Sequence, residues 1–162
     1  MALSYTQGSS NRIAAAHTVN SCNFPVASSA GDLLIASVGW RHTTPTVSSV
    51  TDNAANVYTS AVGPVTNTNR AQMFYVANAS AGATVVSVAF AQANTQSILM
   101  ITEHSGVAGL SALDVTAVGS GNVAAVRTSS FTTNQAEELI LCMVGAIGAA
   151  DTFTPGAGFT ER

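Results

Sequence analysis

The chain has 162 residues, with eight acids, five arginines, no lysine and a net charge of −3. Hydrophobic residues make up 47% and charged residues 8%, which excludes a disordered tail, since such tails are charged and apolar-poor. Arg12, Arg41, Arg70, Arg127 and Arg162 are scattered along the sequence, and phosphate binding needs clustered cations, so nucleic acid is not an expected partner. No run approaches the roughly 18 apolar residues of a spanning helix, so membrane insertion is not expected either.

Residues 1–16 read as a polar N-terminal leader or arm, lacking the basic-then-apolar order of a signal peptide. Residues 17–162 read as one β-sandwich domain. Short apolar runs with two-residue alternation recur there, each closed by Gly, Pro, Asn or Ser. The first expected strand runs from His17 to Phe24, closed by Pro25. Leu33 to Trp40 carries apolar residues on both faces and reads as a central strand. Val47 to Val50 is short, and residues 51–56 form a turn into Val57-Tyr58-Thr59; residues 64–69 read as a loop. Arg70 to Ala77, Thr84 to Phe90 and Ser97 to Glu103 follow. Leu113 to Val118, Arg127 to Thr132 and Glu138 to Gly145 complete about ten strands. Helical stripes are absent.

Ala30 to Ile35 resembles Gln135 to Ile140, and both runs continue to a Val-Gly. The second copy is followed only by a turn-rich tail, so the sandwich is expected to lack its last strand or strands. The open edge would then be covered by a neighbouring subunit through strand addition.

Chemistry is sparsely signalled. His17, His42 and His104 show no metal-ligand spacing. Among the acids, Glu103, Asp114, Glu137 and Glu138 are the candidates for a carboxylate pair, yet Glu137 and Glu138 would face opposite sides of a strand. No catalytic or cofactor-binding residue is assigned. Asp52, Asn53 and Asn56 form the best oxygen cluster for Ca²⁺, with Asp151 as an added ligand. Asx turns are preferred for them, because an EF-type loop carries more carboxylates. Trp40, Arg41, His42 and Tyr58 are the candidates for a sugar-binding rim, set against core packing for the tryptophan. Cys22 and Cys142 read as free thiols, Cys142 within an apolar run that suggests burial.

Several segments together carry a family resemblance: Gly31 to Ala36, Val50 to Thr59, Ala81 to Val85, Glu103 to Gly106, Leu113 to Ala117 and Gly158 to Thr160. The chain from about residue 17 onward resembles the jelly-roll and Ig-like β-sandwich modules of bacterial surface and secreted proteins and of phage structural proteins. His104 stands where such modules often carry an aromatic. The resemblance implies a non-enzymatic structural or adhesive subunit of an extracellular or virion-surface assembly, joined to itself or to neighbouring structural subunits. The competing expectation is a carbohydrate-binding module with glycans as partners.

Overall fold

A computed structural model describes residues 2–66, 68–107, 109, 111–121, 127–135, 137–145 and 154–161. Among them there is no helix, and eight strands form two antiparallel sheets. The strands are β1 (Ser4–Ile13), β2 (His17–Asn23), β3 (Leu33–Arg41), β4 (Val47–Asp52), β5 (Thr59–Thr66), β6 (Asn69–Val76), β7 (Val85–Asn94) and β8 (Ser97–Ser105). One sheet has the order β1-β8-β3-β6-β5 and the other β2-β7-β4. The all-β, two-sheet expectation holds, with eight strands in place of about ten.

Alternation dictates how the sheets face each other. Leu34, Ala36, Val38 and Trp40 of β3 point inward with Leu99 and Ile101 of β8, against Val86, Val88 and Phe90 of β7 and Val50 of β4. Leu34, Val38, Val88, Leu99 and Ile101 are completely enclosed. β3 is buried on its other face too: Leu33 and Ile35 are 6% exposed but lie outside that core cluster. This is what a doubly apolar strand in the middle of a five-stranded sheet requires.

Three expectations are corrected. Ser4–Ile13, read as part of a polar leader, is β1, paired with β8 along its whole length. Its polarity fits an edge strand, which needs apolar residues on one face at most. Residues 64–66, read as loop, belong to β5. Pro64 is tolerated there because β5 is an edge strand, bonded on one side only. The preceding Gly63 has φ +100° and lies against β6, where an added Cβ would come 2.6 Å from the Ala71 carbonyl oxygen.

The third correction concerns Leu113–Val118, Arg127–Thr132 and Glu138–Gly145, none of which forms a strand. Alternation supplies an apolar face but no backbone partner. Segments 113–118 and 127–132 share one backbone bond, Ser129 N–H to the Val118 carbonyl at 3.2 Å, rather than a ladder. Segment 137–145 instead lies over the outer face of the five-stranded sheet: an added Cβ on Gly39 would come 3.2 Å from Met143 Cε, and one on Gly145 3.8 Å from Ala71 Cβ. Both cysteines are free thiols, Cys22 in the core and Cys142 exposed, against its expected burial.

Candidate functional site

Strand register sorts the charged residues of the two sheets. Trp40 pairs with Arg70 and Ser97, Arg41 with Asn69, and Arg12 with Ile98, so Arg12, Arg41 and Arg70 share one end of the sandwich. Leu34 pairs with Glu103 and Asp52 with Val86 at the opposite end, where Asp32 enters β3. Three of the five arginines, scattered in the sequence, are thus gathered at one end, and Asp32, Asp52 and Glu103 at the other.

The four sugar-rim candidates are not brought together. Trp40 is 3% exposed, packs its ring on Phe90 at 5.8 Å and donates Nε1–H to the Pro45 carbonyl at 2.8 Å. It has no face open for stacking, so it is a core residue and not a rim platform. Arg41 and His42 are exposed at the arginine end. His42 has φ 75° and meets Thr95 Oγ1 at 2.9 Å. It lines a shallow depression with Thr44, Pro45, Gln92, Ala93 and Thr95. Tyr58 precedes β5 at the acid end, about six residues of strand or roughly 20 Å from Trp40.

The Asp52 cluster is a turn built from its own hydrogen bonds. Asp52 Oδ1 accepts from the amides of Ala54 (2.9 Å) and Asn56 (3.1 Å). Oδ2 accepts from Asn56 Nδ2 (2.8 Å) and Tyr58 Oη (3.1 Å). Asn53 Oδ1 accepts from the amides of Thr84 and Val85, and Asn56 Oδ1 from that of Ser80, so both asparagines strap this turn to the β6–β7 connection. All the oxygens proposed for Ca²⁺ are engaged this way. Asp151 lies outside the described residues. Burial and the neighbouring Asp52 carboxylate push the Tyr58 hydroxyl above its usual range.

The acid end also holds a buried carboxyl pair. Glu103 has no exposed surface, and Asp32 is 9% exposed. Glu103 Oε1 accepts from the Ser29 amide at 2.7 Å, and Oε2 accepts from Gln7 Nε2. Gln7 is fixed in turn by Val26, accepting its N–H at 3.1 Å and donating to its carbonyl at 3.0 Å. A register shift makes this possible. Tyr5 pairs with His104 and Gln7 with Glu103, so two steps on β1 match one on β8. The bulge sends Tyr5 outward, its ring edge on His104, and Gln7 inward. Burial first, and then the neighbouring Glu103 side chain and its charge, hold the Asp32 carboxyl above the usual 3.8.

Of the acids weighed for a pair, Glu103 has a partner, but it is Asp32. Asp32 is hidden in the sequence as an ordinary Gly-Asp turn, and only the pairing of β3 with β8 joins the two. Asp114 is exposed and accepts from the Asn134 amide (2.9 Å) and Nδ2 (2.5 Å), bonds that lower its pKa. At the arginine end, His17 Nε2 meets Ser97 Oγ at 2.7 Å while Nδ1 meets the Ala15 carbonyl at 2.7 Å. Ser97 is 2% exposed and also accepts from Asn20 Nδ2 at 2.9 Å, so its hydroxyl is a strut between β8 and β2. The described residues contain no group of three His, Cys, Asp or Glu able to hold a metal ion. Compared with family models, curated proteins and solved structures, the chain has no match in any of the three.

Proposed function

We propose that this chain is a non-enzymatic structural or adhesive subunit of an extracellular or virion-surface assembly, built as a jelly-roll-like sandwich. The fold part of this reading is supported by nested pairing. β1 with β8, β2 with β7 and β3 with β6 is the order produced when one long hairpin is rolled into two sheets. The fourth nested pair is replaced, since β5 joins β6 instead of β4. Eight-stranded jelly rolls serve as viral capsid and lectin domains, which fits the resemblance drawn from the sequence.

One observation carries the functional part. The central strand β3 of the five-stranded sheet is apolar on both faces, with Leu33 and Ile35 on the outer one, and the three-stranded sheet covers only the inner face. Segment 137–145 lies on the other, yet leaves Ile140 45% and Val144 38% exposed. Leu113, Val118, Phe131 and Phe159 of the same C-terminal third are exposed as well. Apolar surface of this kind, with few charges to solvate it, suits packing against a neighbour. The partner in this reading is another copy of the chain or an adjacent structural subunit. Trp40 burial leaves the glycan alternative without its stacking residue.

The test is concentration-dependent association, measured by sedimentation and electron microscopy. Ile140→Asp with Val144→Asp should abolish association at a small cost in melting temperature, because each side chain is partly exposed and partly laid on the sheet. A wild-type protein that stays monomeric at high concentration defeats the reading.

A further inference from the structure

We propose that β4 takes a further strand from a second copy of the chain, whose residues 113–118 add along its free edge and over the inner face of β5 and β6. This strand addition rests on the assembly function proposed for the chain and uses a surface separate from segment 137–145. One flank of the sandwich is closed. There β1 is tied to β2, Asn11 Nδ2 donating to Asn20 Oδ1 at 3.1 Å and to the Ser21 carbonyl at 2.9 Å. The other flank is open. Among the described residues β4 pairs with β7 alone, and β5, which would lie beside it in a completed roll, is bonded to β6 in the opposite sheet.

Three strands at roughly 4.8 Å spacing fall about 10 Å short of covering five, and the shortfall lies on this open flank. Ser60 of β5 pairs with Phe74, which packs against the core, and Gln72 pairs with the enclosed Val38, so both belong to the inner face. Yet Gln72 Nε2 donates to Ser60 Oγ at 3.1 Å in a contact open to solvent. Val47 and Phe74 are only partly buried at the same margin. The edge of β4 has no lysine or proline to block pairing, and its single charge, Asp52, is bonded within its own turn. A register shift between Val47 and Ser49 still leaves Val50 in the core.

The chain also carries a segment that fits this edge. Leu113, Val115 and Ala117 alternate with Asp114, Thr116 and Val118 over six residues, the length of β4. Leu113 is 41% and Val115 36% exposed. In its own copy the segment is held to 127–134, by the Ser129 amide on the Val118 carbonyl and the Asn134 amide on Asp114. Paired with β4 of another copy, it would satisfy the outward backbone groups of that edge and lay Leu113 and Val115 over Val47 and Phe74. Segment 127–132 offers one large apolar residue, Phe131, and 137–145 already lies on the outer face. Because giving and receiving surfaces differ, copies join head to tail until a ring closes.

The test titrates the full-length protein with a synthetic peptide of residues 111–120, followed by amide NMR and hydrogen exchange. The peptide should bind saturably, slow exchange of the β4 amides by about tenfold or more, and shift the signals of Ser60, Gln72 and Phe74. A peptide carrying Leu113→Asp and Val115→Asp should do none of these. In the chain itself, β4 amides should gain protection with protein concentration, and the same two substitutions, at exposed positions, should remove that gain. Wild type that associates through Ile140 and Val144, while β4 exchange ignores both concentration and peptide, overturns the strand addition and leaves the assembly function standing. Full protection of β4 in dilute solution overturns it too, since the strand then comes from within one chain. A protein that binds the peptide yet stays monomeric at high concentration defeats the assembly function, and with it the second copy as donor.

Discussion

Two side chains at the arginine end look alike in sequence and differ in what they do. Trp40 closes the core against Phe90 and satisfies its N–H on Pro45. Trp40→Ala should therefore cost about 3–5 kcal/mol in denaturant unfolding, whereas His42→Ala should stay within about 0.5 kcal/mol. An equal loss for both would mean the exposed rim, not the core, sets stability. Ala55 offers the opposite sign. It is exposed with φ 57°, a conformation that burdens any residue bearing a Cβ, so Ala55→Gly should stabilise by about 1 kcal/mol. Trp40 stands at the end of an apolar run, and sequence leaves open whether such an end projects or packs. The chain's return through Pro45 decides it, a contact with no periodic signal.

At the scale of elements, the 52–58 turn is a clamp between β4 and the β6–β7 connection. Asp52→Ala removes four accepted bonds and should cost on the order of 2 kcal/mol, with Asp52→Asn recovering part through its remaining oxygen. Because those oxygens already have donors, added calcium is expected to leave the melting temperature unmoved; a clear rise would reassign the turn as a cation site. Tyr58 reports on the same clamp. Its raised pKa means that stability is lost as pH climbs above the ordinary value of 10.0. In an ultraviolet titration, one of the three tyrosines should ionise later than the others and together with unfolding. The Asx residues of this turn were legible in sequence, since Asp and Asn before a strand bond their own backbone. The bulge between Tyr5 and Gln7 was not, because nothing in a polar run marks where register slips. With it went β1 and the pairing of Gln7 to Glu103.

For the whole molecule, the nested order puts β8 between β1 and β3, far apart in the chain, so one late strand closes the larger sheet. Six of the expected strands were readable because they are anchored by inward residues such as Leu34, Val88 and Leu99, whereas β5 lies almost wholly beyond the run expected at Val57-Tyr58-Thr59. Leu113–Val118, Arg127–Thr132 and Glu138–Gly145 carry the same apolar alternation without a ladder, which shows that alternation reports facing and not pairing. Hydrogen exchange separates the two. Amides of β3 and β8, bonded on both sides and buried, should exchange only through global unfolding and share the slowest rate. Those of 137–145, which lie over the sheet without strand pairing among the described residues, should exchange orders of magnitude faster. If the chain associates through that face, exchange in 137–145 should slow with protein concentration while β3 stays unchanged. Protection of 137–145 equal to that of β3 in dilute solution would instead mean a ladder within one chain, leaving the outer face no vacancy for a neighbour.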